Sequence, residues 1–206
     1  MSITSHSTGD AERFRTSDDL RRSLTELPAA PRDSGRVVLI VQRMDHGRRE
    51  TPDRLPLTPE GGVPGDAWSR QRRPDPDAQI AVMQADVARL IANGQPLELF
   101  GDQLFLELDL SVENLPPGSR LRLGSATVEV TPMPHNGCRK FQARFGRDAV
   151  ELVSDPQLRH RNLRGIYLRV VVPGEVAVGD SVAVISRVEP TVHVQENLPR
   201  KHDNTK

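Results

Sequence analysis

PPGSRLRLGSATVEV, Pro116 to Val130, reads as two short strands joined by a tight turn. Leucine alternates with arginine over Arg120 to Leu123, Gly124 breaks the run, and alternation resumes over Thr127 to Thr131. A period of two gives each strand one apolar and one polar face. VPGEVAVGDSVAVI, Val172 to Ile185, repeats the order: Pro-Gly turn, short apolar stretch, Gly turn, alternating strand. Such units pack into barrels, where closing the sheet removes exposed edges. Barrel hairpins produce this echo without any duplication of the chain.

Outward from that stretch, the apolar runs stay short, β-branched and cut by Gly and Pro, which predicts a mainly β domain. The expected strands are Val37 to Gln42, Gln79 to Met83, Leu104 to Leu110, Arg120 to Leu123, Thr127 to Thr131, Ile166 to Val172 and Ser181 to Ile185. Helices are few. In QADVARLIANG, Gln84 to Gly94, Val87, Leu90 and Ile91 recur at helical spacing and Asn93-Gly94 supplies a stop. Phe141 and Phe145 share the face of another helix that Gly146 ends, and Asp155-Pro156 closes a further helical stretch near Ala149 to Val153. Residues 1–34 are rich in Ser, Thr, Arg and Asp and are expected to form a polar, loosely docked arm with a short helix around Asp18 to Leu27. Residues 35–188 form the compact domain, and 189–206 a polar tail.

The 206 residues suit one sizeable domain. Lys plus Arg and Asp plus Glu both total 28, which argues against a general nucleic-acid binder. No segment offers the roughly 20 apolar residues needed to span a bilayer, and the N-terminus has no apolar run of the signal-peptide kind. A single cysteine excludes an intramolecular disulfide and a multi-cysteine zinc site. The expectation is a soluble cytoplasmic protein.

That cysteine, Cys138, lies in TPMPHNGCRKFQARFG, Thr131 to Gly146. Asn136 is a good N-cap type, which places Cys138 in the first turn of the Phe141/Phe145 helix. The helix dipole and the flanking Arg139 and Lys140 favour a thiolate there, and His135 adds a proton acceptor or a second positive charge. Read from the residues alone, Cys138 is either a reactive thiol or a small buried apolar residue.

The run HNGCRKFQARFG resembles the cysteine motif of MOSC domains, the modules related to the C-terminal part of molybdenum cofactor sulfurases, in particular their small stand-alone bacterial members. Further landmarks follow in order: GGVPGDAWSRQ (Gly61 to Gln71) looks like the early Gly-Asp loop, SVENLPPGSRLRLGSATVEVTP (Ser111 to Pro132) like the Glu-Asn-Leu motif and its strands, and RNLRGIYLRVVVPGEVAVGDSVAVI (Arg161 to Ile185) like the closing strand and Gly-Asp turn. The resemblance implies a MOSC-type β-barrel with the cysteine at the mouth of a pocket. It implies molybdenum cofactor (molybdopterin) as ligand, with Cys138 as the metal ligand or as a sulfur carrier. It puts Glu113 and Asn114 near the pocket and Asp66 in the early loop, all three as cofactor-binding residues. Proximity to the thiolate adds His135 and Lys140 to the chemistry, and Arg139 is expected among the cofactor contacts. The sequence departs from the family where Trp68 replaces a usual His or Arg, and where Val112 and Pro116 flank the Glu-Asn-Leu motif, so a basic group and a hydroxyl expected for a pterin phosphate are missing.

Three functions follow from the resemblance. The first is reduction of N-hydroxylated compounds with an external reductase, because nothing here resembles a flavin or iron-sulfur site. The second is sulfur delivery, with a cysteine desulfurase as partner; any pyridoxal-phosphate link runs through that separate enzyme, since no lysine has a recognisable Schiff-base context. The third is a non-catalytic MOSC-fold binding or thiol redox-sensing module.

Overall fold

The computed structural model describes residues 8–188. Its strands are β1 (Ser34–Ile40), β2 (Gln42–Arg43), β3 (Arg49–Glu50), β4 (Arg54–Leu57), β5 (Ile80–Gln84), β6 (Leu104–Leu106), β7 (Arg120–Leu123), β8 (Ala126–Val130), β9 (Ile166–Val172), β10 (Gly174–Ala177) and β11 (Ser181–Ser186). Seven of them close a barrel in the order β1-β11-β7-β8-β9-β5-β6. Each of the seven expected strands supplies one. The pairings are antiparallel except β5 with β6.

The Arg120 to Val130 hairpin behaves as its alternation dictates. Leu121 pairs with Val128 and Leu123 with Ala126, all four inside the barrel, while Arg120 faces Glu129 on the outside at 3.0 Å. Strands β5 and β6 have no polar face to spare. Ile80, Val82, Leu104 and Leu106 fill the barrel, and Met83 and Phe105 face a second apolar cluster outside it. Burial on both faces explains why these runs are continuous rather than alternating.

The outer cluster is covered by helices α1 (Ser17–Glu26), α2 (Ala85–Ala92), α3 (Arg139–Phe145) and α4 (Arg147–Ser154). Asn93 ends α2 in the left-handed region (φ 48°), as its Asn-Gly pair predicts, and Gly146 (φ 88°) separates α3 from α4. Phe100, Phe105, Phe141 and Phe145 stack against one another beneath α3, with Phe100 and Phe145 4.0 Å apart.

Several expectations need correction. The strand expected over Leu104 to Leu110 leaves the ladder after Leu106, although Leu108 and Leu110 stay buried. The short pairs β2/β3 and β4/β10 are not among the expected strands, although Leu55, Leu57 and Val176 of the second pair join the barrel core. Residues 8–34 are not a loosely docked arm. Thr16 caps α1 by accepting a hydrogen bond from the Asp19 N–H, and Leu20 and Leu24 are 1% and 4% exposed against the outer cluster. Ahead of α1, the Gly9 N–H donates to Ala143 O (3.0 Å) and the Asp10 N–H to Gln95 Oε1 (2.7 Å). A side chain at Gly9 would begin 1.9 Å from Arg144 O, so only glycine fits this approach. The tail expected over 189–206 lies outside the described residues.

Leu20→Ala should therefore lower stability by about 2–4 kcal/mol in urea denaturation, the usual result of emptying a well-packed aliphatic site. A loss below about 0.5 kcal/mol, typical of surface sites, would mean that α1 is only loosely attached.

Candidate functional site

Cys138 does not occupy the first turn of α3. It is the N-cap itself, in extended conformation (φ −134°, ψ 173°), with its carbonyl accepting from the Gln142 N–H at 3.0 Å. Asn136 stays in the approach loop. The thiol is exposed, which removes the reading of Cys138 as a buried apolar filler. It opens onto a pocket of about 190 Å³ that also includes Lys140, His135, Tyr167 and four arginines: Arg43, Arg49, Arg144 and Arg164.

Four separate elements deliver those guanidinium groups. Arg43 and Arg49 come from β2 and β3, where they lie directly opposite each other. Like charges facing each other across a strand pair are unfavourable, so the pairing needs compensation. Asp66 provides it for Arg43. Its carboxylate takes hydrogen bonds from Arg43 Nη2 (2.6 Å), from the Arg43 N–H (2.7 Å) and from the Trp68 N–H (2.9 Å). Burial pushes the Asp66 pKa up, but the bonds from Arg43 and the two backbone N–H groups outweigh it and hold the carboxyl below its usual range. Arg144 comes from α3, whose phenylalanines are anchored in the outer cluster. Its carbonyl accepts from Gln95 Nε2 at 3.2 Å, the same glutamine that holds Asp10.

Arg164 precedes β9 and, like Arg49, is only 6% exposed. Its Nη1 donates to both oxygens of Asp102 (3.0 and 2.8 Å), and its guanidinium lies 5.1 Å from the centre of the Phe141 ring. Asp102 is fully buried. Beside it His135 Nδ1 stands 3.5 Å from Asp102 Oδ1, with its ring 4.4 Å from that of Tyr167. Burial lowers the His135 pKa to about 3, helped by Arg164 and Arg43 and opposed by Asp102. His135 is neutral, not a second positive charge.

Gly101 lines the pocket between two of its arginines. Gly101 adopts φ 78°, and a carbon placed on it would sit 3.6 Å from Arg144 Nη1 and 3.7 Å from Arg49 Nη2. Burial and the nearby charge of Arg144 lower the Arg49 pKa to about 10, and burial lowers that of Arg144 too. Arg144 Nε, Arg164 Nε and His135 Nδ1 are buried without a hydrogen-bond partner among the described residues. Convergent, desolvated cations with unused donors suit a multiply charged anion.

The residues expected at the site divide. Cys138, His135 and Lys140 come together at the pocket. Asp66 acts at one remove, by holding Arg43. Arg139 is exposed at the start of α3 and does not line the pocket. Glu113 and Asn114 belong elsewhere: Glu113 pairs with Arg32 at 3.2 Å, and buried Asn114 donates to Asp109 O and Arg32 O and accepts from Arg187. Trp68 is a packing anchor, with its indole N–H donating to Asp75 O. The basic groups at the pocket are the four arginines and Lys140. The sequence holds no local signal for the four arginines: Arg144 and Arg164 lie within HNGCRKFQARFG and RNLRG, but nothing there sets them apart from the other arginines.

A family model described as "MOSC domain" matches residues 72–183. The chain belongs to the MOSC domain family. The match begins after β3, so the hairpin carrying Arg43 and Arg49 lies outside it. Among solved structures, a MOSC-like barrel recurs in a hypothetical protein (23% identity, covering 76% of this chain and 70% of that one, TM-score 0.57) and in YiiM from Escherichia coli (23%, 75% and 72%, TM-score 0.52). It recurs also in YuaD from Bacillus subtilis (18%, 75% and 97%, TM-score 0.50). At these identities the likeness is one of fold. No curated protein matches the chain.

The neutral state of His135 has a measurable consequence for the MOSC barrel. Its folded pKa lies below the ordinary 6.5, so as pH falls from 6.5 toward 3 the unfolded chain takes up a proton that the folded chain refuses. Its contribution to stability is therefore complete above 6.5 and declines below it. His135→Gln should flatten the fall in unfolding free energy between about pH 6 and pH 4, by up to ~1.4 kcal/mol per pH unit. Parallel profiles for the two proteins would show that His135 titrates normally.

Proposed function

We propose that the protein binds molybdenum cofactor in the Cys138 pocket, with the Cys138 sulfur as the protein's ligand to the metal, and that it reduces N-hydroxylated compounds with electrons from an external reductase. One observation carries this reading: a lone exposed thiol opens onto a pocket walled by four arginines. Among the described residues there is no group of three His, Cys, Asp or Glu side chains able to hold a metal ion. A metal that arrives already ligated by its pterin needs only one sulfur from the protein, and a soft thiolate is the donor it favours. Arg144 would hold the phosphate through charge-assisted hydrogen bonds, joined by the part of the Arg164 guanidinium that Asp102 leaves unused. Arg43 and Arg49 add to the positive charge of the wall.

When bound, the cofactor supplies the redox centre that passes two electrons to the substrate. The overall change breaks the N–O bond and consumes two electrons and two protons, with water as the leaving product. Tyr167 is placed to assist. Burial raises the pKa of its phenol, so it keeps its proton and presents an O–H donor at the pocket wall. His135, being neutral, holds or accepts a hydrogen bond rather than supplying a cationic proton. Reducing equivalents come from a partner protein. A cytoplasmic setting fits the single cysteine, and among the described residues no helix is long and apolar enough to cross a membrane.

A second reading, carriage of sulfur as a Cys138 persulfide, draws support from the exposure of the thiol, which leaves it open to a desulfurase.

Protein purified from a cofactor-competent host should contain molybdenum and, after oxidative release, a fluorescent pterin. Cys138→Ser should lose the metal, and Arg144→Gln should retain at least about tenfold less pterin, the scale of one charged hydrogen bond. Absence of metal and pterin from the wild type would overturn the cofactor reading. Intact-mass spectrometry after treatment with a cysteine desulfurase would then decide between a sulfur carrier, which gains sulfur on Cys138, and a non-catalytic binding or thiol redox-sensing module, which does not.

A further inference from the structure

His135 and Arg164 do not only wall the Cys138 pocket. On their other side lies a second cavity, of about 310 Å³, whose lining includes Pro134, Val153, Ser154 and Arg159 together with the same two side chains. Cys138 does not reach it. Both shared side chains are 7% exposed. His135 Nδ1 is turned toward Asp102, 3.5 Å away. Arg164 spends only Nη1 on Asp102, and its Nη2 makes no hydrogen bond among the described residues, which leaves a donor for a ligand.

The chemistry of the lining narrows what that ligand is. Asp155 is its one carboxylate, and that group is already occupied by Arg21 Nη2 (2.7 Å) and the Gln157 N–H (2.8 Å). Arg159 is exposed at the rim and makes no ion pair among the described residues. The balance is cationic. Pro134 and Val153 add an apolar side, and the volume lies at the lower end of small-molecule sites.

We infer that this cavity is the substrate chamber, and that it favours a small planar compound carrying a carboxylate, held by Arg159 and Arg164 with its reducible end against His135, a side chain shared with the Cys138 pocket. The inference rests on the reading of the Cys138 pocket as the cofactor site, but the chamber binds its ligand independently of that pocket. Substrate and cofactor thus meet at a shared wall rather than competing for one space.

The test is direct binding to the full chain by calorimetry, with benzamidoxime and its 4-carboxylate as probes. The carboxylated probe should bind about tenfold more tightly than the neutral one, the scale of one charged hydrogen bond. Arg159→Gln should abolish that preference. Ser154→Trp, a substitution at an exposed position on the rim, should block both probes, whereas binding should persist in Cys138→Ser. Equal affinity for the two probes, or binding that Cys138→Ser removes and Ser154→Trp leaves intact, would overturn the inference. Because no metal is needed for binding, the expected pattern in a protein shown to lack molybdenum would defeat the cofactor reading and leave the anion chamber standing.

Discussion

Arg164 is buried beside the Cys138 pocket because Asp102, wholly enclosed, meets its guanidinium with both carboxylate oxygens. Removing either partner of such a pair strands the other charge, at a cost of about 3–5 kcal/mol. The pair fixes more than itself. It sets the floor on which His135 lies, it places the arginine over the Phe141 ring, and it ties the turn before β9 to the segment that leads into β6. Asp66 does the same for Arg43 at the other side of the pocket.

A barrel core gains nothing from like charges brought together, and here the cost is visible. Arg43 and Arg49 stand opposite each other in a two-residue strand pair, and the Arg49 and Arg144 side chains both approach the space above Gly101. Two carboxylates, Asp66 and Asp102, are buried to support this arrangement. The barrel interior, by contrast, is an ordinary aliphatic core that requires none of these devices. Clusters of buried charge beside a cleft are a mark of functional sites, and here the cluster lies at the pocket that Cys138 lines.

The docked N-terminal segment has a part in holding the site. Gln95 accepts from the Asp10 N–H and donates to the Arg144 carbonyl, so one side chain links residues ahead of α1 to the helix that carries a pocket arginine. Phe14 packs against Gly146, where a side chain would begin 3.0 Å from its ring. The segment is part of the scaffold of the pocket rather than an appendage to it.

Local pattern determined the seven barrel strands, α2, the Phe141/Phe145 helix and the stop at Gly146, because each follows from periodicity or from a glycine or asparagine that tolerates a left-handed turn. It also marked Cys138 as chemically distinct, through its neighbours. Only the tertiary structure decided the rest of the site. Arg43, Arg49, Arg144 and Arg164 are scattered over the chain in polar segments that carry no periodic signal, and nothing local distinguishes them from the solvated arginines around them. Glu113 and Asn114 erred in the opposite sense: their motif is legible, but its contacts tie Arg32 and Arg187 to the barrel end and do not face the pocket. Long-range packing chooses which charges are buried together, and charge alone in a sequence does not say whether it will meet water or a ligand.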